Sequence, residues 1–233
     1  MDCLCCAEGG LTMPKTAKST KTTKETKASK AAAKTKTVKT VKSVKADKTA
    51  IIIPARYNSK RLQGKPLLEV DKKPIIQWVW ERAVKVKGVD SVVIATDDKR
   101  IFDCAKKFGA DVEMTSEHHK CGSDRIVEVA QRHPGFGYII NLQGDEPMIN
   151  EKAVEEVIKL IKEDKEADIS TLLSEIKPEE DLVDPNMVKC VTDVNGYAMY
   201  FSRSKIPYER NLGIAKFYKH IGIYGYRRES LFK

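Results

Sequence analysis

No run of this chain approaches 18 consecutive apolar residues, so no segment of it reads as a membrane-spanning helix. The opening MDCLCCAEGGLT has neither the basic start nor the apolar stretch of a secretory signal. Six cysteines are present (Cys3, Cys5, Cys6, Cys104, Cys121 and Cys190), and no histidine stands near the first cluster to complete a zinc site. Reduced thiols in a cytoplasmic protein are the plain reading, with a labile metal on Cys3–Cys6 the alternative. G-x-G-x-x-G is absent, and Gly64-Lys65 runs into Pro66 without an earlier glycine, so neither a dinucleotide fingerprint nor a Walker loop is present.

Charge of one sign is confined to one end. The chain of 233 residues carries +9 overall, yet residues 1–50 hold twelve lysines, no arginine and four acids, +8 in all. Residues 51–233 are therefore close to neutral, and a basic-protein reading of the whole is excluded. Lys15, Lys18, Lys21, Lys24, Lys27 and Lys30 recur every three residues, a spacing that offers no apolar face to bury. Residues 1–49 are expected to be a disordered, solvated tail, with Met13 an alternative start. Binding to nucleic acid or to an anionic surface is the rival reading for the tail. Without arginine or aromatic residues it has no means of bidentate base reading or stacking, so no specific nucleic-acid partner is expected.

Residues 50–233 are long enough for one sizeable core. Ile51–Ile53, Val92–Ala95 and Tyr138–Leu142 read as buried strands. Between them, Ile75, Val79, Ala83 and Val86 mark one helix face behind Pro74. Asp98 is placed to cap a helix carrying Ile101, Ala105 and Phe108, stopped by Gly109. Ile126, Val129 and Ala130 line another, and Val154, Val157, Ile158 and Ile161 a further one. This alternation predicts an α/β fold, a mostly parallel sheet with helices on both faces. In the second half, Ile169–Leu173 and His220–Tyr226 read as strands, while Lys189–Val194 and Tyr197–Ser202 flank Asn195-Gly196, a hairpin signal. A mixed sheet with a small antiparallel insertion is expected.

Three loops carry chemistry, each at the carboxyl end of a strand, where open α/β sheets bind ligands. Pro54–Pro66 places Arg56, Lys60, Arg61 and Lys65 within ten residues beside Gly64, the outline of a polyphosphate site. Asn141–Pro147 sets Asp145 and Glu146 behind Gly144, two carboxylates able to hold Mg²⁺ against phosphate oxygens. The third, His118–Arg125, holds Cys121, for which no thiol-activating base can be assigned.

These blocks, in this order, resemble the 3-deoxy-manno-octulosonate (Kdo) cytidylyltransferases. IIPARYNSKRLQGKPL is similar to that family's opening signature, and ATDD, CGSDR, NLQGDEP, PNMVKCV, YAMYFSRSKIPYER and HIGIYGYR match its later blocks. The resemblance implies a Rossmann-like fold of the nucleotide-diphospho-sugar transferase type. It also implies a nucleotidyl transfer from CTP to Kdo, giving CMP-Kdo and pyrophosphate for lipopolysaccharide synthesis. Arg56, Arg61 and Lys65 would hold the CTP phosphates, Gly122 and Ser123 the cytosine with Arg125 nearby, and Gln143, His220 and Tyr224 the sugar acid. Asp145 would ligate Mg²⁺, the implied cofactor, with Arg61, Lys65 and Asp145 as the catalytic set and a homodimer as the complete assembly. Gln63 stands where the family usually has Pro, and Lys120-Cys121 where it usually has Gln-Ser. Family members continue beyond the position of Lys233, which leaves residues 50–233 as a cytidylyltransferase domain incomplete at its C-terminus. Another sugar acid, of the sialic type, is the alternative substrate; an inactive fragment with a nucleic-acid-binding tail is the alternative from outside enzymes.

Overall fold

The computed structural model describes residues 46–58, 62–211 and 213–233. The Lys-rich stretch, the Cys3–Cys6 cluster, Met13 and Arg61 lie outside the described residues, so the expectations for them are untouched. Strand β1 spans Lys48–Ala55, and Thr49 is buried, its N–H donated to Asp90 Oδ2 at 2.7 Å.

After β1 come a single 3₁₀ turn, Lys65–Leu67, and a two-residue-per-strand hairpin, β2 (Glu69–Val70) with β3 (Lys73–Pro74). Helix α1 (Ile75–Ala83) leads to β4 (Ser91–Thr96), α2 (Lys99–Lys107) to β5 (Asp111–Met114), and α3 (Gly122–Arg132) to β6 (Phe136–Asn141). The second half holds α4 (Glu151–Glu163), β7 (Ile169–Glu175), β8 (Lys189–Thr192), β9 (Ala198–Ser202), β10 (Tyr218–Arg227) and a short α5 (Arg228–Leu231). The sheet runs β5-β4-β1-β6-β10-β8-β9, with β7 on the other edge of β10. Its first four strands are parallel; β10 pairs antiparallel with β6, β7 and β8, and β8 with β9. This is the mixed α/β sheet with an antiparallel second half that the patterning implies.

Strand β1 lies at the centre because both its faces are apolar. Ile51 and Ile53 pack with Ile76 and Val79 of α1, Ile101 of α2 and Val154 and Val157 of α4. Ala50 and Ile52 face the other way, onto Ile126 and Val129 of α3. Each such isoleucine stabilises the fold by about 1.5–3 kcal/mol relative to an exposed one. Several elements differ locally from their sequence-based expectation. Ile76 rather than Ile75 is the fully buried residue of the first turn of α1, because Pro74 sits outside the helix with extended backbone. The hairpin strand β8 ends at Thr192, since the Asp193 carboxylate accepts from the Asn195 and Tyr197 N–H groups and closes the turn early. Asp98 caps α2 as expected, accepting from Arg100 N–H at 2.9 Å.

Candidate functional site

The chain leaves β1 through Pro54, and three loops distant in sequence converge on that residue. A Cβ placed on Gly144 would lie 2.8 Å from the Pro54 carbonyl oxygen, and one on Gly122 would lie 3.4 Å from Pro54 Cγ. Only a residue without a side chain lets the β6 loop seat so closely on the end of β1. From the β1 loop itself, Arg56 Nη1 donates to the Lys120 carbonyl at 3.0 Å, tying it to the segment that opens α3.

The basic loop is closed and braced by its own residues. Gly64 N–H donates to the Tyr57 carbonyl at 2.8 Å, and Gly64 adopts φ +70°, the left-handed region that glycine favours. Its α-carbon packs on the Tyr57 ring, whose other partner is the Arg100 guanidinium at 3.3 Å from the ring centroid. Arg100 is fixed in turn by Asp98, whose carboxyl it holds below the usual range through their hydrogen bond. Lys65 follows at once, and its Nζ reaches Asp145 Oδ2 at 2.8 Å, with side chains 37 % and 46 % exposed. Phosphate-type cation and metal-type carboxylate thus share one opening at the sheet's carboxyl edge. Arg56, on the same loop, is exposed.

Glu146 lies one residue further in. Burial first, then the adjacent Asp145 charge, push its carboxyl above the usual range, with Lys65 opposing. Among the described residues no group of three or more His, Cys, Asp or Glu is arranged around a common point. A half-exposed Asp145 with Glu146 beside it nevertheless suits Mg²⁺, which takes one or two carboxylates and completes its shell with phosphate oxygens and water.

At the third loop Cys121 is the N-cap of α3, in a capping box with Asp124, and its own N–H donates to Asp124 Oδ2 at 3.2 Å. Gly122 and Ser123 form the first turn of that helix. Arg125 is different from its expected neighbours. Its side chain is 0 % exposed, with Nη2 on Asp97 Oδ2 at 2.6 Å and Nη1 on the Thr115 hydroxyl. The guanidinium therefore fastens Asp97, just after β4, to the loop that precedes α3. Glu128 holds the same loop from α3, accepting from Ser116 N–H at 2.9 Å and pairing with His119.

The antiparallel half supplies the remaining wall. His220 and Tyr224 on β10 have ring centroids 5.3 Å apart, and His220 meets Phe201 of β9 edge-on at 5.0 Å. Thr171 on β7 donates its hydroxyl to the Ile223 carbonyl at 2.8 Å and lies 2.9 Å from His220 Nε2. A hydroxyl has one proton, so the Thr171 oxygen accepts from His220 Nε2–H, leaving Nδ1 as the acceptor. Burial holds the His220 imidazole below its usual range, hence neutral. The register of β10 against β7 slips between Ile221 and Tyr224, and a Cβ on Gly222 in that bulge would lie 3.8 Å from Glu146 Oε1. The bulge brings the His220–Tyr224 wall up to the Asp145 loop. Gln143, half-buried, precedes Gly144 on the β6 loop. Thr171, Glu128 and Asp97 are the residues that sequence reasoning missed as site components; only Asp97, closing a predicted strand, left a local signal.

An α/β sheet with cations, carboxylates and helix N-termini gathered at one carboxyl edge defines a nucleotide-handling enzyme of the transferase kind. The family model for cytidylyltransferases matches residues 50–233. The chain is 46 % identical over 178 residues to the 3-deoxy-manno-octulosonate cytidylyltransferase of Fusobacterium nucleatum, covering 76 % of this chain and 72 % of that one. It is 47 % identical over 184 residues to the enzyme of the same name from Escherichia coli, covering 79 % and 74 %. A solved structure of CMP:2-keto-3-deoxy-manno-octonic acid synthetase in complex with CTP superposes with TM-score 0.76 at 46 % identity, over 80 % of this chain and 76 % of that one. The chain belongs to the cytidylyltransferase family, on its 3-deoxy-manno-octulosonate branch. Among the described residues no helix is long and apolar enough to cross a membrane.

Proposed function

We propose that the protein activates Kdo with CTP, yielding CMP-Kdo and pyrophosphate for lipopolysaccharide assembly. The observation that carries this reading is the meeting of Lys65 and Asp145 beside Pro54, where the Arg56 loop and the first turn of α3 also converge. Arg56, Arg61 and Lys65 bind the triphosphate, Gly122 and Ser123 the cytosine, and Gln143, His220 and Tyr224 the sugar acid. Arg125 positions the cytosine loop through Asp97 and Thr115. The anomeric hydroxyl oxygen of Kdo forms a bond to the α-phosphorus. The bond from that phosphorus to the bridging oxygen breaks, pyrophosphate leaves with the electron pair, and the hydroxyl proton passes to solvent. Catalysis is then chiefly alignment and charge neutralisation by the loop cations. Asp145, with Glu146 beside it, is the residue to hold Mg²⁺, which would supply further neutralisation of the phosphate oxygens.

The compartment we read as the cytoplasm, since Cys104 and Cys190 are unbridged thiols. A second copy of the chain is the partner expected at β9, where Met199 and Tyr200 are 70 % and 62 % exposed. The decisive experiment mixes purified protein with CTP, Mg²⁺ and either Kdo or a sialic acid, and measures pyrophosphate. Release with Kdo alone is expected; release with the sialic acid and not with Kdo would move the protein to another sugar acid.

A further inference from the structure

Among the described residues, four buried side-chain polar atoms have no hydrogen-bond partner: Thr49 Oγ1, Arg82 Nε, Arg125 Nε and Asn141 Oδ1. Thr49 lies at the far, amino-terminal end of β1, and the two arginines are engaged through their other nitrogens. Asn141 is the one at the sheet's carboxyl edge. It is 4 % exposed, on the last position of β6, and no local turn or cap consumes its carbonyl. A buried amide oxygen with no donor is costly, and an apolar side chain of similar shape would suit the strand better unless a ligand supplies the donor.

Its surroundings say which ligand. In the sheet register Asn141 is opposite Ile52 on β1 and Tyr224 on β10. Its side chain shares the sheet face of Ile52, Ile139 and α3, since alternate residues of a strand point the same way. Pro54, two residues beyond Ile52 on that face, carries Gly122 of α3. Asn141 therefore lies on the floor between the first turn of α3 and the Tyr224–His220 wall, at the seam of the two subsites assigned under the proposed function.

We infer that Asn141 is a substrate-binding residue whose Oδ1 accepts a hydrogen bond from a hydroxyl of the bound substrates. The inference rests on the cytidylyltransferase reading. Hydroxyls reach this seam from two sources, the ribose of CTP and the sugar acid, and both are recognised by the same acceptor. A site built to pair with a hydroxyl discriminates strongly against a ligand that lacks it, because the buried acceptor is then left without a donor.

The test compares wild-type protein with Asn141→Leu, which keeps the size and removes the polar atoms, and Asn141→Ala, which guards against a misfit of the leucine. Thermal melting is expected at or above the wild-type value for Asn141→Leu. Calorimetric titrations use CTP, 2′-deoxy-CTP, and Kdo in the presence of CTP and Mg²⁺. Loss of about tenfold in CTP affinity with 2′-deoxy-CTP unaffected assigns the ribose; a similar loss for Kdo alone assigns the sugar acid. Either supports the inference. Affinities for all three within twofold of wild type, in a folded variant, overturn it. A wild-type protein that binds neither CTP nor Kdo overturns the proposed function itself, and with it this inference.

Discussion

Lys65 and Asp145, 80 residues apart in sequence, are joined Nζ to Oδ2 at 2.8 Å. The pair is half-exposed, so it adds at most about 1 kcal/mol to stability. Its consequence is for charge: the cation and the carboxylate neutralise each other, and under the proposed function a triphosphate and Mg²⁺ would compete for them.

Replacing Lys65 with Ala should therefore lower CTP affinity by about tenfold or more while leaving the melting temperature nearly unchanged. Calorimetry with CTP checks this. Unaltered affinity in a folded variant would remove the basic loop from the nucleotide site.

Asp145→Asn keeps the shape and removes the charge. Pyrophosphate release should lose its response to Mg²⁺, and the fold should melt within a few degrees of wild type. Turnover that still rises with Mg²⁺ as in wild type would mean another group holds the metal.

Gly64→Ala tests the brace beneath the loop. The substitution forces φ +70° on an L-residue and sets a methyl 3.0 Å from Tyr57 Cε2. A cost of about 1–2 kcal/mol is expected from the backbone alone. Urea unfolding should show it, and CTP affinity should fall because Arg56 and Lys65 move with the loop. A variant as stable as wild type would show that the left-handed turn is not needed.

Arg125→Met should destabilise the protein by about 3–5 kcal/mol, since it leaves Asp97 without its buried counter-ion. Denaturant unfolding measures the loss directly. A small loss accompanied by a large fall in CTP affinity would instead return Arg125 to direct nucleotide contact.

Stability should also depend on pH through His220. Burial keeps the folded imidazole below the ordinary histidine value of about 6.5. As pH falls through about 6.5 the unfolded chain takes up a proton that the folded chain does not, so this residue's share of stability is full above that value and declines below it. Wild type should lose more melting temperature between pH 7.5 and 5.5 than His220→Gln does. Equal slopes for the two proteins would contradict the neutral, Thr171-bonded imidazole.

What could be read along the chain was what local periodicity encodes. Ile51–Ile53 reads as a strand buried on both faces, and Asp98 as a helix cap, because each depends on residues a few positions away. The loop after β1 announced itself by four cations and a glycine, and the Asp145 loop by its carboxylates at a strand end. Periodicity cannot say which strands adjoin. That β10 inserts between β6 and β7, bulges at Gly222 and so brings Gly222 close to Glu146 follows from long-range pairing with no local signal. The same holds for Arg125, which in sequence is a cation beside a glycine-serine turn and in the fold is buried against Asp97, the residue after β4. Residue types alone determined which chemistry the chain can offer. Burial and register, which depend on partners dozens of residues away, decided which of those groups face the substrates and which hold the others in place.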